Sequence, residues 1–505
     1  MRVLIASAVF LLVSASSSVA QTVPTVDVIE ARLKAAYGPP VLSLQTVIIT
    51  KREGVRGRRT TYRLGDDYRR IFEEPPFVTQ RGRVAKQSWH QNENGQTVID
   101  QGDEGLAMPD HYVATVTAVS SPVAGYAIAR LNASGFGSRD VIDSSWHVIR
   151  HEALSASGTT VTTYDDFRSV DGATHAWHWT QGDGPPENTT EYSIASESRD
   201  VRSSDVAIAK PRRAVFTLPG GTAEVALPAR QVRDKFYVRV TIDGRGLDFL
   251  LDTGAAGITI DDDVARQLGL TLYGRFSNGA NAGRYTGSRV IVPHLAIGPL
   301  AGSDIVMHTT PHIAPTNAGD MKPVGLLGFD FIGALALKLD YVHGSVTAYD
   351  PASFAAPTAP HTLALDVRLG TQQPMTDVMV NGALGERFII DTGATAPLAL
   401  FDYFQRRNRS ALVDRGGGGA ARNMRFFGVG GAFDVRPYQL DSVKFGTADF
   451  KGFLAYAVTS RQAYGLDEDG LIGTQFLNLF DVYLDYANSR VYLEPNELGR
   501  AASVR

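Results

Sequence analysis

Phe249-Leu250-Leu251-Asp252-Thr253-Gly254-Ala255 and Phe388-Ile389-Ile390-Asp391-Thr392-Gly393-Ala394 are one phrase written twice, 139 residues apart. In each copy an apolar run ends in a carboxylate, a hydroxyl and a glycine. The likeness extends in both directions. Upstream, Phe236 to Gly244 and Asp377 to Gly382 are alternating strands that end in a turn. Downstream, Gly325-Leu326-Leu327-Gly328-Phe329-Asp330-Phe331 corresponds to Gly470-Leu471-Ile472-Gly473-Thr474-Gln475-Phe476. Each of these segments is followed by an Asp-Tyr pair, Asp340-Tyr341 and Asp485-Tyr486, and then by a β-rich strand, Ser345 to Tyr349 and Arg490 to Leu493. The repeated unit is therefore a whole lobe.

Short alternating strands punctuated by glycine predict antiparallel β within each lobe. Asp261 to Leu268 reads as a short helix, with Asp at its start and Gly269 past its end. Phe401 to Leu412 is its expected counterpart. The Ala- and Pro-rich stretch Pro351 to Pro360 reads as the connection between lobes.

One carboxylate per homologous lobe, each at a strand-to-glycine turn, predicts a symmetric catalytic dyad of Asp252 and Asp391. Two carboxyls about 3 Å apart resist ionising together and share a proton. The ionised member can take a proton from a water between them, while the protonated member hydrogen-bonds a substrate carbonyl. Gly254 and Gly393 let the two turns approach. Thr253 and Thr392 carry hydroxyls able to bond across the twofold axis. This chemistry requires no metal and no cofactor.

On these motifs, residues 229 to about 498 resemble two fused lobes of a retropepsin-like or pepsin-like aspartic protease, of the bacterial exported type. The resemblance implies a bilobal pair of β-barrels and peptide-bond hydrolysis. It implies catalytic loops at Asp252-Thr253-Gly254-Ala255 and Asp391-Thr392-Gly393-Ala394. Leu326-Leu327-Gly328 and Leu471-Ile472-Gly473 match the family's apolar-apolar-Gly segment, which packs under those loops and opens a short helix, expected at Phe329–Ile332 and Thr474–Leu477. Flaps are expected at Tyr285 in the first lobe and at Gly428 and Gly430 in the second. Neither copy has the Arg that retroviral enzymes carry after this segment. Ala255 and Ala394 stand where pepsin-like enzymes commonly place Ser or Thr, which predicts activity extending toward mildly acidic or neutral pH. The alternative is a noncatalytic exported binding protein that uses the protease fold as scaffold.

The rest of the 505 residues is organised around this unit. Hydrophobic residues at 44% and charged residues at 20% are ordinary globular values, and a net charge of −4 gives no reason to expect nucleic acid. Residues 1–20 read as a cleaved secretory signal: Arg2, an apolar run from Val3 to Val13, then Ser18-Val19-Ala20. Export to a bacterial periplasm or beyond follows as an expectation, with no membrane span elsewhere. The chain has no cysteine, so disulfides and thiol chemistry are excluded.

Residues 21–205 read as an antiparallel β domain, 206–228 as a linker, 229–356 and 357–505 as the lobes. Strands are expected at Leu42–Thr50, Thr60–Leu64, Val84–Trp89, Val113–Val119, Trp146–His151, Thr159–Tyr164 and Ala176–Gln181. Trp89 to Gly95, and Tyr164 to Arg168 followed by Val170-Asp171-Gly172, give this domain a resemblance to periplasmic lipoprotein-carrier proteins. That resemblance implies a lipid or peptide ligand, with an inhibitory pro-region left open as the other role. His147, His151, His175 and His178 lack a metal-site pattern and read as ordinary histidines. The basic stretch from Lys51 to Arg70 reads as a solvated hairpin, with a face for anionic lipid as the alternative. A polypeptide substrate and a monomeric enzyme are expected.

Overall fold

The computed structural model describes residues 23–53, 55–100, 112–120, 124–132, 137–155, 158–213, 215–280, 283–311, 313, 321–412, 424–428, 431–459 and 468–502. The protein is mainly β, with four sheets among the described residues. The expected signal segment lies outside the described residues.

Each lobe is a closed ring of six strands. In lobe 1 Lys235–Ile242 pairs with Arg245–Leu251, which pairs in parallel with Gly325–Leu327. The ring continues through Ile258–Asp261, Leu300–Thr310 and Gly283–Ile297, and returns to the first strand where Ala296 and Leu295 face Thr241 and Ile242. Lobe 2 repeats it strand for strand: Met375–Val380, Ala383–Ile390, Gly470–Ile472, Leu398–Leu400, Ala448–Val458 and Gly431–Phe445, closing where Val443 to Phe445 face Val378 to Val380. Ring closure explains why the last three residues before each Asp are apolar in succession, Phe249 to Leu251 and Phe388 to Ile390. Phe249, Leu251, Phe388 and Ile390 are fully buried in a core shared by both lobes. Each such side chain contributes roughly 1.5–3 kcal/mol.

A six-stranded sheet joins the lobes. At its centre Ala336–Asp340 of lobe 1 runs antiparallel to Phe480–Asp485 of lobe 2, in register from Ala336 opposite Asp485 to Asp340 opposite Asp481. The expected helices form at Phe329–Ile332 and Thr474–Leu477. The lobe-1 surface helix is Asp262–Gln267, with Asp261 capping it by accepting from the N–H of Asp263 and Val264. Its lobe-2 counterpart is shorter than expected, Asp402–Arg407 followed by a 3₁₀ turn at Arg409–Leu412.

The N-terminal domain is one antiparallel sheet of thirteen strands, two meanders fanning out from the pairing of Ser43–Arg52 with Thr190–Ser198. Two expectations need correction. Val84–Trp89 is not a strand but a hairpin corner: Phe77–Val84 and Gln87–Gln91 are joined by Ala85 and Lys86, both with positive φ (50° and 69°). That turn normally advertises itself with Asn-Gly, and here Asp67 supports it by accepting from the N–H of Ala85. A helix, Val26–Tyr37, was not expected; its buried face of Val26, Ile29 and Leu33 packs on Ile128 and Ile142 of the sheet. None of the helices among the described residues is long and apolar enough to cross a membrane.

The basic stretch runs over three adjacent strands, and several of its arginines are engaged. Arg58 bonds Glu73, Arg52 bonds Glu74, and Arg59 lies over the rings of Trp179 and Tyr192. The four histidines each face a carboxylate, with His151 to Asp140 at 2.7 Å and His178 to Asp165 at 2.6 Å the closest.

Candidate active site

Asp252 and Asp391 each follow the last residue of a ring strand, and the apolar-apolar-Gly segment fixes them from the side. The N–H of Asp252 donates to Leu327 O (3.0 Å), and that of Asp391 to Ile472 O (2.8 Å). The residue after each segment's glycine ties the far end of the loop: Phe329 N–H to Ala255 O (3.0 Å), Thr474 N–H to Ala394 O (2.8 Å). Leu327, Leu471 and Ile472 are essentially buried, and Leu326 is 7% exposed. Gly328 and Gly473 lie directly against the carbonyls of Ala255 and Ala396.

The threonines cross the axis. Thr253 Oγ1 donates to Ile390 O (2.6 Å) and accepts from Thr392 N–H (2.9 Å). Thr392 Oγ1 donates to Leu251 O (2.9 Å) and accepts from Thr253 N–H (3.1 Å). Four buried backbone groups are satisfied by two hydroxyls, and the loops are locked to one another. Each carboxyl then faces the opposite loop's glycine. A Cβ on Gly254 would stand 2.7 Å from Asp391 Cγ, and one on Gly393 2.5 Å from Asp252 Cγ. Only glycine allows that approach.

The carboxyls lie within hydrogen-bonding reach of each other. Burial raises Asp252 well above the ordinary carboxylate range, and the neighbouring Asp391 charge raises it further. Burial raises Asp391 as well, but the N–H groups of Gly393 and Ala394 and the positive Lys235 oppose it. Those N–H groups reach Asp391 Oδ1 at 2.8 and 3.0 Å, whereas Asp252 accepts only from Gly254 N–H, at 2.9 Å. The better-solvated anion is therefore Asp391, and the shared proton favours Asp252. Such a pair titrates as a unit.

The expected flap positions fall on equivalent hairpins. Tyr285 sits opposite Asn278 where Tyr273–Ala280 pairs with Gly283–Ile297. Gly428 faces Gly431 where Met424–Gly428 pairs with Gly431–Phe445. Gly430 lies outside the described residues.

With this geometry in hand, comparison with known proteins is informative. Residues 238–331 match the aspartyl protease family. The match covers most of lobe 1, including the Asp252 loop and Leu326-Leu327-Gly328. Lobe 2 lies outside it and is tied to the matched lobe by the internal repeat and the equivalent ring. Among solved structures, a LolA superfamily protein from Nitrosomonas europaea is similar at 14% identity and a TM-score of 0.28, over 35% of this chain and 97% of that one. The comparison with curated proteins gives no match.

Several residues around the two Asp-Thr-Gly loops were not singled out by the sequence. Lys235 is buried (6% exposed), and its charge acts on both carboxyls. Gln373 of lobe 2 donates to Gly254 O across the axis. Asp330, within the matched downstream segment, is buried and bonded to the N-terminal domain. A buried acid inside an otherwise apolar segment was the available clue to Asp330, but its partners lie more than 200 residues away.

Proposed function

We propose that this chain is an aspartic endopeptidase acting on polypeptide through the Asp252/Asp391 pair. The observation that carries this reading is the reciprocal threonine lock, which holds two buried carboxyls face to face on a twofold axis. A scaffold for binding alone has no need to hold like charges in contact. In the proposed reaction a water lies between the carboxyls, and Asp391 takes its proton as the oxygen attacks the scissile carbonyl carbon. Asp252 gives its proton to the carbonyl oxygen, forming a neutral tetrahedral diol. Collapse breaks the C–N bond; a carboxyl proton goes to the leaving nitrogen and one hydroxyl proton returns to the pair. No acyl-enzyme forms, and because one chain supplies both carboxyls, a monomer suffices.

The test is digestion of an unfolded protein from pH 3 to 8 by the parent, Asp252→Asn and Asp391→Asn. Cleavage by the parent alone supports the reading, and cleavage that survives either change sinks it.

A second activity has its own support. The N-terminal sheet and the helix Val26–Tyr37 border an open cavity of about 460 Å³ lined by Tyr37, Leu44, Phe167, Trp179 and Ile194, with the Glu197–His175 and Asp140–His151 pairs at its wall. An apolar chain, from a lipid or a peptide, suits such a lining. Quenching of tryptophan fluorescence by a spin-labelled fatty acid, lost in Phe167→Asp, would support it; quenching unchanged by that substitution would count against it.

A further inference from the structure

The N-terminal domain does not merely adjoin lobe 1. Its turn from Asn92 to Gln96 enters the lobe and meets Asp330, a residue of the short helix that follows Leu326-Leu327-Gly328. Asn92 Nδ2 donates to Asp330 Oδ1 at 2.6 Å, and Asn94 Nδ2 to Asp330 Oδ2 at 2.8 Å. Gln96 Nε2 donates to the backbone oxygen of Asp330 at 3.1 Å. Asn94 is 1% exposed, and its amide also pairs with both backbone groups of Val306, at 2.9 and 3.0 Å, as an added strand residue would. The turn is itself rigid: Asn92 Oδ1 accepts from Gln96 N–H, Gly95 takes φ +85°, and Arg212 closes it by bonding the carbonyls of Asn92 and Glu93.

On its other side Asp330 faces the catalytic loop. It accepts from the backbone N–H of Ile258, and a Cβ on Gly257 would stand 3.2 Å from Asp330 Oδ2. The chain from Asp252 to Ile258 is thus held at one end by the threonine lock and at the other by this carboxylate. A second contact grips the same lobe. Arg289, on the flap hairpin, bonds Glu93 and Glu74 at 2.9 and 2.6 Å, and His308 bonds Glu93 at 2.7 Å. Among the described residues nothing comparable meets the equivalent position in lobe 2, Gln475, whose N–H donates to Thr395 O within its own lobe.

We propose that the Asn92–Gln96 turn of the N-terminal domain positions the Asp252 catalytic loop through Asp330, so that this domain is a working part of lobe 1 and not a removable pro-region. The proposal rests on the protease reading for its kinetic consequence, though not for its structural one. Asp330 is here a positioning residue, acting through the loop whose Ile258 N–H it accepts. Removing the acceptor for the buried Asn94 amide and the half-buried Asn92 amide at the foot of the loop loosens Gly254 to Ile258, and a misplacement of about 1 Å at a catalytic group can cost on the order of a hundredfold in rate.

The test uses the full chain. Asp330→Asn keeps the shape but gives Asn92 an amide to face; it should lower kcat at least tenfold and leave KM within about twofold. Adding Asn92→Asp exchanges donor and acceptor across the contact with residue 330, though it gives up the Asn92 Nδ2 donation to Gln96 Oε1, and should recover at least part of the lost kcat. In parallel, hydrogen exchange read by mass spectrometry should show amides of 254–258 exchanging at least tenfold faster in Asp330→Asn, with 393–396 unchanged. This second measurement holds even if the parent cleaves nothing, a result that would defeat the protease reading and leave the positioning role standing. Parental kcat and exchange in Asp330→Asn would overturn the proposal. So would an equal rise in exchange in both loops, or a loss that the Asn92→Asp exchange does not repair, since either marks general destabilisation.

Discussion

The two catalytic loops carry the same four residues and the same cross-axis bonds, yet they rest on different foundations. Under lobe 2, Thr474 holds Ala394 O through its N–H at 2.8 Å, and its hydroxyl lies 3.0 Å from the same oxygen and against the carboxylate of Asp234 from lobe 1. Under lobe 1 the equivalent position is Phe329, which has no hydroxyl, and the neighbouring Asp330 is secured by side chains from another domain. Both lobes keep the geometry at the axis, where the chemistry dictates it. They diverge one layer beneath, where only rigidity is required and any source will do.

At the axis the lobes should be equally sensitive. Asp252→Asn and Asp391→Asn are each expected to reduce kcat by on the order of 10³-fold or more, since each removes one half of a proton relay. A tenfold difference between them would show that the asymmetry in N–H donors reaches the chemistry itself. Because burial raises both groups, activity should persist toward pH 6 and not be confined below pH 3. A pH–rate profile peaking below about pH 3 would contradict the raised pair.

The next largest effect concerns the lock. Thr253→Ala and Thr392→Ala each leave one buried N–H and one buried carbonyl unpaired. Each should cost about 2–5 kcal/mol in urea unfolding, and the two costs should agree within about 1 kcal/mol. Thr→Ser at either position keeps the bonds, and its cost should stay near 1 kcal/mol for the lost methyl. Unequal costs would break the twofold equivalence at its centre.

How much of this was legible in the sequence divides along the same line. The axis could be read because its requirements are local: a carboxylate, a hydroxyl and a glycine after an apolar strand, twice, with the supporting Gly-Leu-Leu-Gly and Gly-Leu-Ile-Gly segments at matching distance. The short helices at Phe329–Ile332 and Thr474–Leu477 were expected from the family resemblance that the same segments carry. The layer beneath could not be read. Asn94 advertises a turn in Glu93-Asn94-Gly95, but nothing local says that its amide is aimed at a carboxylate 236 residues away. The Ala85-Lys86 corner failed for a related reason, because its backbone shape is enforced by Asp67 and not by its own residue types.

The interdomain contact gives the comparison a pH signature. Burial alone would raise Glu93, but the bonds and charges of His308 and Arg289 outweigh it and hold the group at about 2. A depressed carboxylate contributes stability that is present above its unfolded value, near 4.5, and lost as pH falls toward 2. Asp330 has the opposite sign: burial, against the bond from Asn94, raises it to about 6, so its contribution is present below about 3.8 and lost as pH rises through 6. Each shift corresponds to at most about 3 kcal/mol. Melting temperature against pH should therefore lose its fall below pH 4.5 in Glu93→Gln, and part of its fall between pH 4 and 6 in Asp330→Asn. Curves parallel to the parent's would show that neither group feels the interface in solution.

The smallest expected effect is the lobe-2 counterpart. Thr474 Oγ1 touches Ala394 O and the carboxylate of Asp234, so Thr474→Ala removes a hydroxyl bridge that lobe 1 lacks. The Thr474 N–H still holds Ala394 O at 2.8 Å after the change, so the loop keeps one of its two ties. A cost of about 1 kcal/mol and a loss of kcat below threefold are expected, well short of what Asp330→Asn should do. If Thr474→Ala instead matched Asp330→Asn in kcat, the two loops would depend equally on the layer beneath them. The help that lobe 1 takes from the N-terminal domain would then be a substitute for the threonine, not an additional control.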